Sequence, residues 1–123
     1  MENTFIKGKT EKEIWSIADP FAERILSAVT TKDIDAFSAD FTARIKSLLT
    51  QEIFDEMVDR FVRDYGNYQK RRRVCIINNP HCTPIIWAIN FDKTPLDILF
   101  QIRLVYEDGK LLTDSALFRT WMI

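Results

Sequence analysis

The chain changes hydrophobic rhythm at Gly66, and this change restricts the fold more than any other feature of its 123 residues. Before Gly66, apolar residues recur at intervals of three and four, the period of a helix with one buried face. After it they alternate, the period of a strand with one buried side. The stretch closing the first half is the plainest. Thr50 stands as N-cap, and Ile53, Phe54, Met57, Val58, Phe61, Val62 and Tyr65 are expected along one buried face. Gly66 is expected to end that helix, because a residue without Cβ enters the left-handed cap conformation cheaply. No helix signal follows. Helices first and strands afterwards predict an α+β fold, with N-terminal helices packed on a curved four-stranded antiparallel sheet. No repeat, linker or low-complexity tract divides the chain, so residues 1–123 read as a single domain. Its parts are an N-terminal segment with a short helix (1–18), further helices (19–66) and the antiparallel sheet (67–123).

Local signals refine this outline. Thr10-Glu11-Lys12-Glu13 has the form of a capping box, and Ile14, Trp15 and Ala18 follow at helical spacing. Asp19-Pro20 predicts a restart as a second helix, with Phe21, Ile25 and Val29 on its apolar stripe beside Ala22 and Leu26. From Ile34 through Phe37, Phe41, Ile45, Leu48 and Leu49 the spacing predicts two short helices with a break near Asp40. The first strand is expected over Tyr68 to Ile77. A loop from Asn78 to Pro84 follows, then a second strand from Ile85 to Asp92. In the third strand Leu96, Ile98, Phe100, Ile102, Leu104 and Tyr106 alternate with Asp97, Gln101, Arg103 and Glu107, so the first set is expected to face inward. Asp108-Gly109 is a hairpin signal, and Leu111 to Met122 is expected to return as the fourth strand.

Composition excludes several classes. Apolar residues make up 46% of the chain, with nine Phe, three Trp and three Tyr, which is enough for a core and argues against a disordered chain. The formal net charge of -1 supplies no bulk attraction for nucleic acid or an anionic membrane. Met1 to Lys12 lacks the apolar centre of a secretory signal, and no apolar run approaches the roughly 18 residues of a spanning helix. A cytoplasmic protein is expected, with Cys75 and Cys82 as thiols. No cofactor motif is present, and no cofactor is expected.

The residues Ala22, Ile25 and Leu26, then Lys32-Asp33-Ile34-Asp35-Ala36-Phe37, Asp40-Phe41-Thr42, the Tyr65-Gly66 helix end with Tyr68, and Tyr106-Glu107-Asp108-Gly109-Lys110 form a pattern. In that order, from about Ala18 to Trp121, the chain resembles the nuclear-transport-factor-2-like (cystatin-like) superfamily, and more narrowly a small prokaryotic group of it without assigned function. The resemblance implies a cone-shaped sheet around a cavity closed by helices, and often a dimer. It also implies a candidate ligand pocket lined by Phe61, Tyr65, Trp87, Phe100 and Tyr106. It does not imply chemistry, because the fold hosts enzymes, binders and scaffolds.

Three functional readings follow. The first is a non-catalytic domain that binds a small apolar ligand in the cavity or acts as a dimeric interaction module. The second is a cavity enzyme of the isomerase or dehydratase type, working by general acid–base chemistry through Tyr106 and Asp92 or Asp114. The sequence departs from that pattern: the inward set of the third strand is otherwise apolar, the single His81 sits in a turn, and Asp40, Asn90, Asp92 and Asp114 read equally as caps, turns or outer-face residues. The third is weak nucleic-acid binding through Lys70-Arg71-Arg72-Arg73, although alternate residues of a strand face opposite ways and basic residues commonly protect an edge. Cys75, His81 and Cys82 are too few for a closed zinc site. The more informative feature is apolar content on both sides of the sheet. Ile86, Ala88, Leu99 and Val105 stand on the side opposite the core set. Homodimerisation through the sheet would cover them, and residues 1 to 18 packing across the face are the competing explanation.

Overall fold

A computed structural model describes residues 8–78 and 83–118, and residues 121–122 through their backbone pairing. The chain is α+β, with helices packed on one face of an open antiparallel sheet. The helices are α1 (Glu11–Thr31), α2 (Ile34–Ser38), α3 (Ala43–Leu48) and α4 (Gln51–Asp64). The strands are β1 (Tyr68–Ile76), β2 (Thr83–Phe91), β3 (Thr94–Glu107), β4 (Lys110–Phe118) and β5 (Trp121–Met122), paired in sequence order so that β1 is an edge.

The caps form as the residue types dictate. Thr10 Oγ1 accepts from the Glu13 N–H at 3.2 Å, while the Glu13 carboxylate accepts from the Thr10 N–H at 3.0 Å, closing the box that starts α1. Asp33 accepts from the Ala36 N–H to start α2, and Thr50 does the same for Ile53 at the head of α4. Gly66, at φ +88°, follows α4, and its N–H returns to the carbonyls of Phe61 and Val62. A Cβ there would meet Asp92 Oδ1 at 1.8 Å, so the position needs glycine for space as well as conformation. Asp92 uses that oxygen to accept from the Asn67 N–H at 2.9 Å, fixing the passage from α4 into β1.

The predicted restart at Asp19-Pro20 is corrected. α1 runs unbroken through Pro20 for 21 residues. Its buried positions Ile14, Ala18, Phe21, Ile25 and Ala28 keep a four-three rhythm across the proline. Burying that stripe outweighs the roughly 3 kcal/mol that an interior proline costs. The break near Asp40 separates α2 from α3, and a parallel bridge from Phe41 to Thr113 ties the break to β4. Within α4, Phe54, Met57, Val58 and Phe61 are buried, but Ile53 and Val62 are exposed at the margins of the stripe, against expectation.

Strand ends also shift. β1 stops at Ile76 and β2 begins at Thr83, with residues 79–82 of the expected loop outside the described residues. Ile98, Phe100, Ile102 and Leu104 face the core, while Leu96 and Tyr106, expected with them, lie past its ends and are exposed. Asp108 and Gly109 take φ of 52° and 79°, the left-handed pair of the expected tight hairpin. The fourth strand does not run to Met122. It ends at Phe118, and β5 turns back upon it, pairing Phe118 with Trp121 and Leu117 with Met122. Register shifts interrupt the β1–β2 pairing twice and the β2–β3 and β3–β4 pairings once each, and bulges of this kind bend and twist a strand.

Candidate functional site

Of the expected pocket residues, Phe61, Trp87 and Phe100 are brought into one aromatic core. Trp87 lies 5.8 Å from Phe100 between ring centroids, Phe100 stacks on Phe118 at 4.6 Å, and Phe61 meets Phe118 at 4.7 Å. Tyr65 joins at the margin, 5.7 Å from both Phe61 and Phe91. Trp87 and Phe100 are fully buried in that core. Tyr106 stands apart, 46% exposed at the end of β3. The polar residues considered for catalysis are occupied as joints. Asp92 secures the α4–β1 turn and Asp40 pairs with Arg24. Asn90 donates to Asp97 at 2.6 Å. Asp114 is the extra residue of the β3–β4 bulge and accepts from Thr42 Oγ1 at 2.7 Å and from Arg44 Nε at 3.2 Å. Burial works to raise the Asp114 pKa, but those hydrogen bonds and the nearby charges of Arg44 and Arg103 hold it below the ordinary carboxylate value. His81 and Cys82 lie outside the described residues, and Cys75 is a free thiol. Among the described residues no three His, Cys, Asp or Glu converge as metal ligands, and no helix is long and apolar enough to cross a membrane.

Two surface regions hold the remaining chemistry. The first is a cleft of about 450 Å³ between α1 and the free edge of β1, lined by Asp19, Glu23, Tyr68, Gln69, Lys70, Arg71 and Arg73. Helical spacing puts Asp19 and Glu23 one turn apart on α1, and strand spacing puts Arg71 and Arg73 on one side of β1. Asp19 Oδ1 accepts from Trp87 Nε1 at 3.0 Å, and Oδ2 accepts from Arg73 Nε and Nη2 at 3.1 and 2.5 Å. Glu23 receives Arg71 Nη1 and the Tyr68 hydroxyl, and Arg71 Nη1 also donates to that hydroxyl at 2.9 Å. Burial tends to raise the Asp19 pKa, yet the hydrogen bonds from Arg73 and Trp87, with the Arg73 and Arg71 charges, hold it below the usual range. Burial likewise raises the Tyr68 pKa. The basic run therefore divides as strand alternation requires: Arg71 and Arg73 turn to α1, and Arg72 pairs with Asp97 on the other side at 3.0 Å.

The second region is the outer face of the sheet. Cross-strand neighbours Cys75, Ile86, Gln101 and Leu117 form one row, and Arg72, Ala88 and Leu99 form the next. Val105 opposite Leu112 extends the apolar area toward the hairpin. Leu99 is 54% exposed at its centre. Residues 11–18 do not cover this face, because they belong to α1 on the other side, where Trp15 packs edge-on against Trp87 at 5.5 Å. Residues 1–7 lie outside the described residues. The apolar alternation was legible in the sequence. The cleft was not, because its acidic and basic halves lie about fifty residues apart.

No family model, no curated protein and no solved structure matches the chain.

Proposed function

We propose that the chain is a non-catalytic interaction module, of the nuclear-transport-factor-2-like kind in its order of helices and strands, which pairs with a second copy through the outer sheet face. The observation that carries this reading is the apolar strip of Ile86, Leu99, Val105, Leu112 and Leu117 on the side of the sheet that the helices leave open. A lone antiparallel sheet of this type ordinarily presents a polar face to water.

Charge order supports a second copy as the occupant. The outward residues of β3 run Asp97, Leu99, Gln101, Arg103, an acid at one end and a base at the other. The Arg103 charge acts on Asp114 within its own chain, and Asp97 is held by Arg72 and Asn90. When two such faces stack with their β3 strands antiparallel, each Arg103 lies over the Asp97 of the other copy, and Leu99 lies near the centre of both. Such self-complementarity is what a two-fold interface requires. Apolar-ligand binding draws less support, since Trp87 and Phe100 are buried among core side chains.

Sedimentation velocity over a concentration series tests the proposal. The wild type is expected at twice the 14.5 kDa chain mass. Leu99→Lys, which buries an unpaired ammonium in the interface, is expected to weaken association by roughly 100-fold or more. Asp97→Lys and Arg103→Glu should each weaken it, and their combination should restore it. A wild type that stays monomeric at high micromolar concentration, or a Leu99→Lys protein that associates as well as the wild type, refutes the proposal.

A further inference from the structure

We infer that the cleft between α1 and β1 is a binding site for a small organic carboxylate, gripped by Arg71 and Arg73. The inference is independent of the sheet-face proposal, because it concerns the opposite side of the edge strand.

The acidic residues of the cleft engage only part of each guanidinium. Arg71 spends Nη1 on Glu23 and Tyr68, and its Nε stands 3.7 Å from Asp19, while Nη2 has no acceptor among the described residues. Arg73 spends Nε and Nη2 on Asp19, lies over the Trp15 ring at 5.5 Å, and leaves Nη1 without an acceptor among the described residues. Both side chains come from the same side of one strand, two residues apart, and both line the same hollow. The Arg71 side chain is 22% exposed and that of Arg73 is 50% exposed. Half-buried guanidinium N–H groups favour an anionic acceptor with two oxygens, which makes short, charge-assisted bonds with their planar fork.

Charge selects among anions. Arg71 and Arg73 face Asp19 and Glu23 across the cleft, two cations against two carboxylates, while strand alternation places Lys70 on the other side with Arg72. A singly charged carboxylate disturbs that balance least. A phosphate monoester carries about 1.5 to 2 negative charges near neutral pH and would face the two fixed carboxylates with charge left over. The cleft volume of about 450 Å³ lies within the range of small-molecule sites, and Tyr68 is among its lining residues.

The test is a titration of uniformly ¹⁵N-labelled full-length chain with sodium benzoate, followed through the Nε–Hε resonances of Arg71 and Arg73 and the amides of residues 69–73. Sodium chloride at matched ionic strength is the control. The expected result is a saturable shift at these signals with a low-millimolar or tighter midpoint, absent from the exposed Arg60 and Arg63. In Arg73→Lys, which keeps the charge beside Asp19 but removes the spare fork, the midpoint should rise at least about fivefold. Circular dichroism melting of that variant reports whether the fold is kept, and the unmutated titration stands alone if it is not. No shift up to about 50 mM benzoate, more than tenfold above the expected low-millimolar midpoint, or shifts that are linear and equal at Arg60 and Arg63, overturns the inference. Tighter saturation by inorganic phosphate than by benzoate overturns the carboxylate assignment.

Discussion

The two faces of one sheet are built from neighbouring residues and meet opposite fates. Ile98, Phe100, Ile102 and Leu104 point to the helices and are buried within a single chain, whereas Leu99, next to Phe100, is left more than half exposed. The inner residues are demanded by the fold of the monomer. The outer ones are not, because an antiparallel strand folds as well with polar residues on its solvent side. Apolar residues that the monomer does not need are the ground on which a contact with a second copy is proposed.

The largest expected effect would break that comparison at its sharpest point. Phe100→Ala should cost about 3–5 kcal/mol in urea denaturation, since it empties the stack between Trp87 and Phe118. Leu99→Ala, one residue along, should cost under about 0.5 kcal/mol when measured at a concentration too low for association. Equal losses would mean that both faces are core. Gly66→Ala should follow at about 1–3 kcal/mol, because the added Cβ collides with Asp92 Oδ1 and the backbone holds φ +88°. A thermal melt unchanged by that substitution would show that the α4–β1 turn tolerates another geometry.

How far the sequence announced these features depends on how local their causes are. α4 was legible from Thr50 to Gly66 because capping, periodicity and termination all lie within one short stretch. Even there Ile53 and Val62 were misplaced, since a stripe has edges that periodicity does not locate. At Pro20 a local stop signal competed with an apolar rhythm that continues across it, and packing prevailed. The sequence between Phe118 and Trp121 carries no Gly, Pro, Asn or Asp, so β5 had no signature. The cleft shows the limit most clearly. Strand alternation foretold that Arg71 and Arg73 share a side, but their partners Asp19 and Glu23 are fixed by how α1 crosses the edge strand, which no local rule supplies.

That charged seam sharpens the comparison through pH. Asp19 and Asp114 both have depressed pKa values in the folded chain, whereas an unfolded Asp titrates near about 3.9. Their contribution to stability is thus fully present above that value and disappears as pH falls through the lower folded values. Chemical denaturation between pH 5 and pH 2 should show declining stability, on the scale of the usual carboxylate range. The acid dependence should be shallower in Asp19→Asn and Asp114→Asn. Profiles parallel to the wild type would remove these two groups as the cause. A modest effect is expected far from either sheet face. Thr10→Ala should lose about 1 kcal/mol with the capping box, without any change in association.

The most direct test of the sheet-face proposal is an isotope-filtered NOE experiment on a mixed sample of labelled and unlabelled chains. Intermolecular signals from the methyl groups of Leu99, Ile86 and Leu117, with none from Ile98 or Ile102, are the expected result. Intermolecular signals confined to the helices or to the β1 edge, or none in a sample that sediments as a monomer, would contradict it.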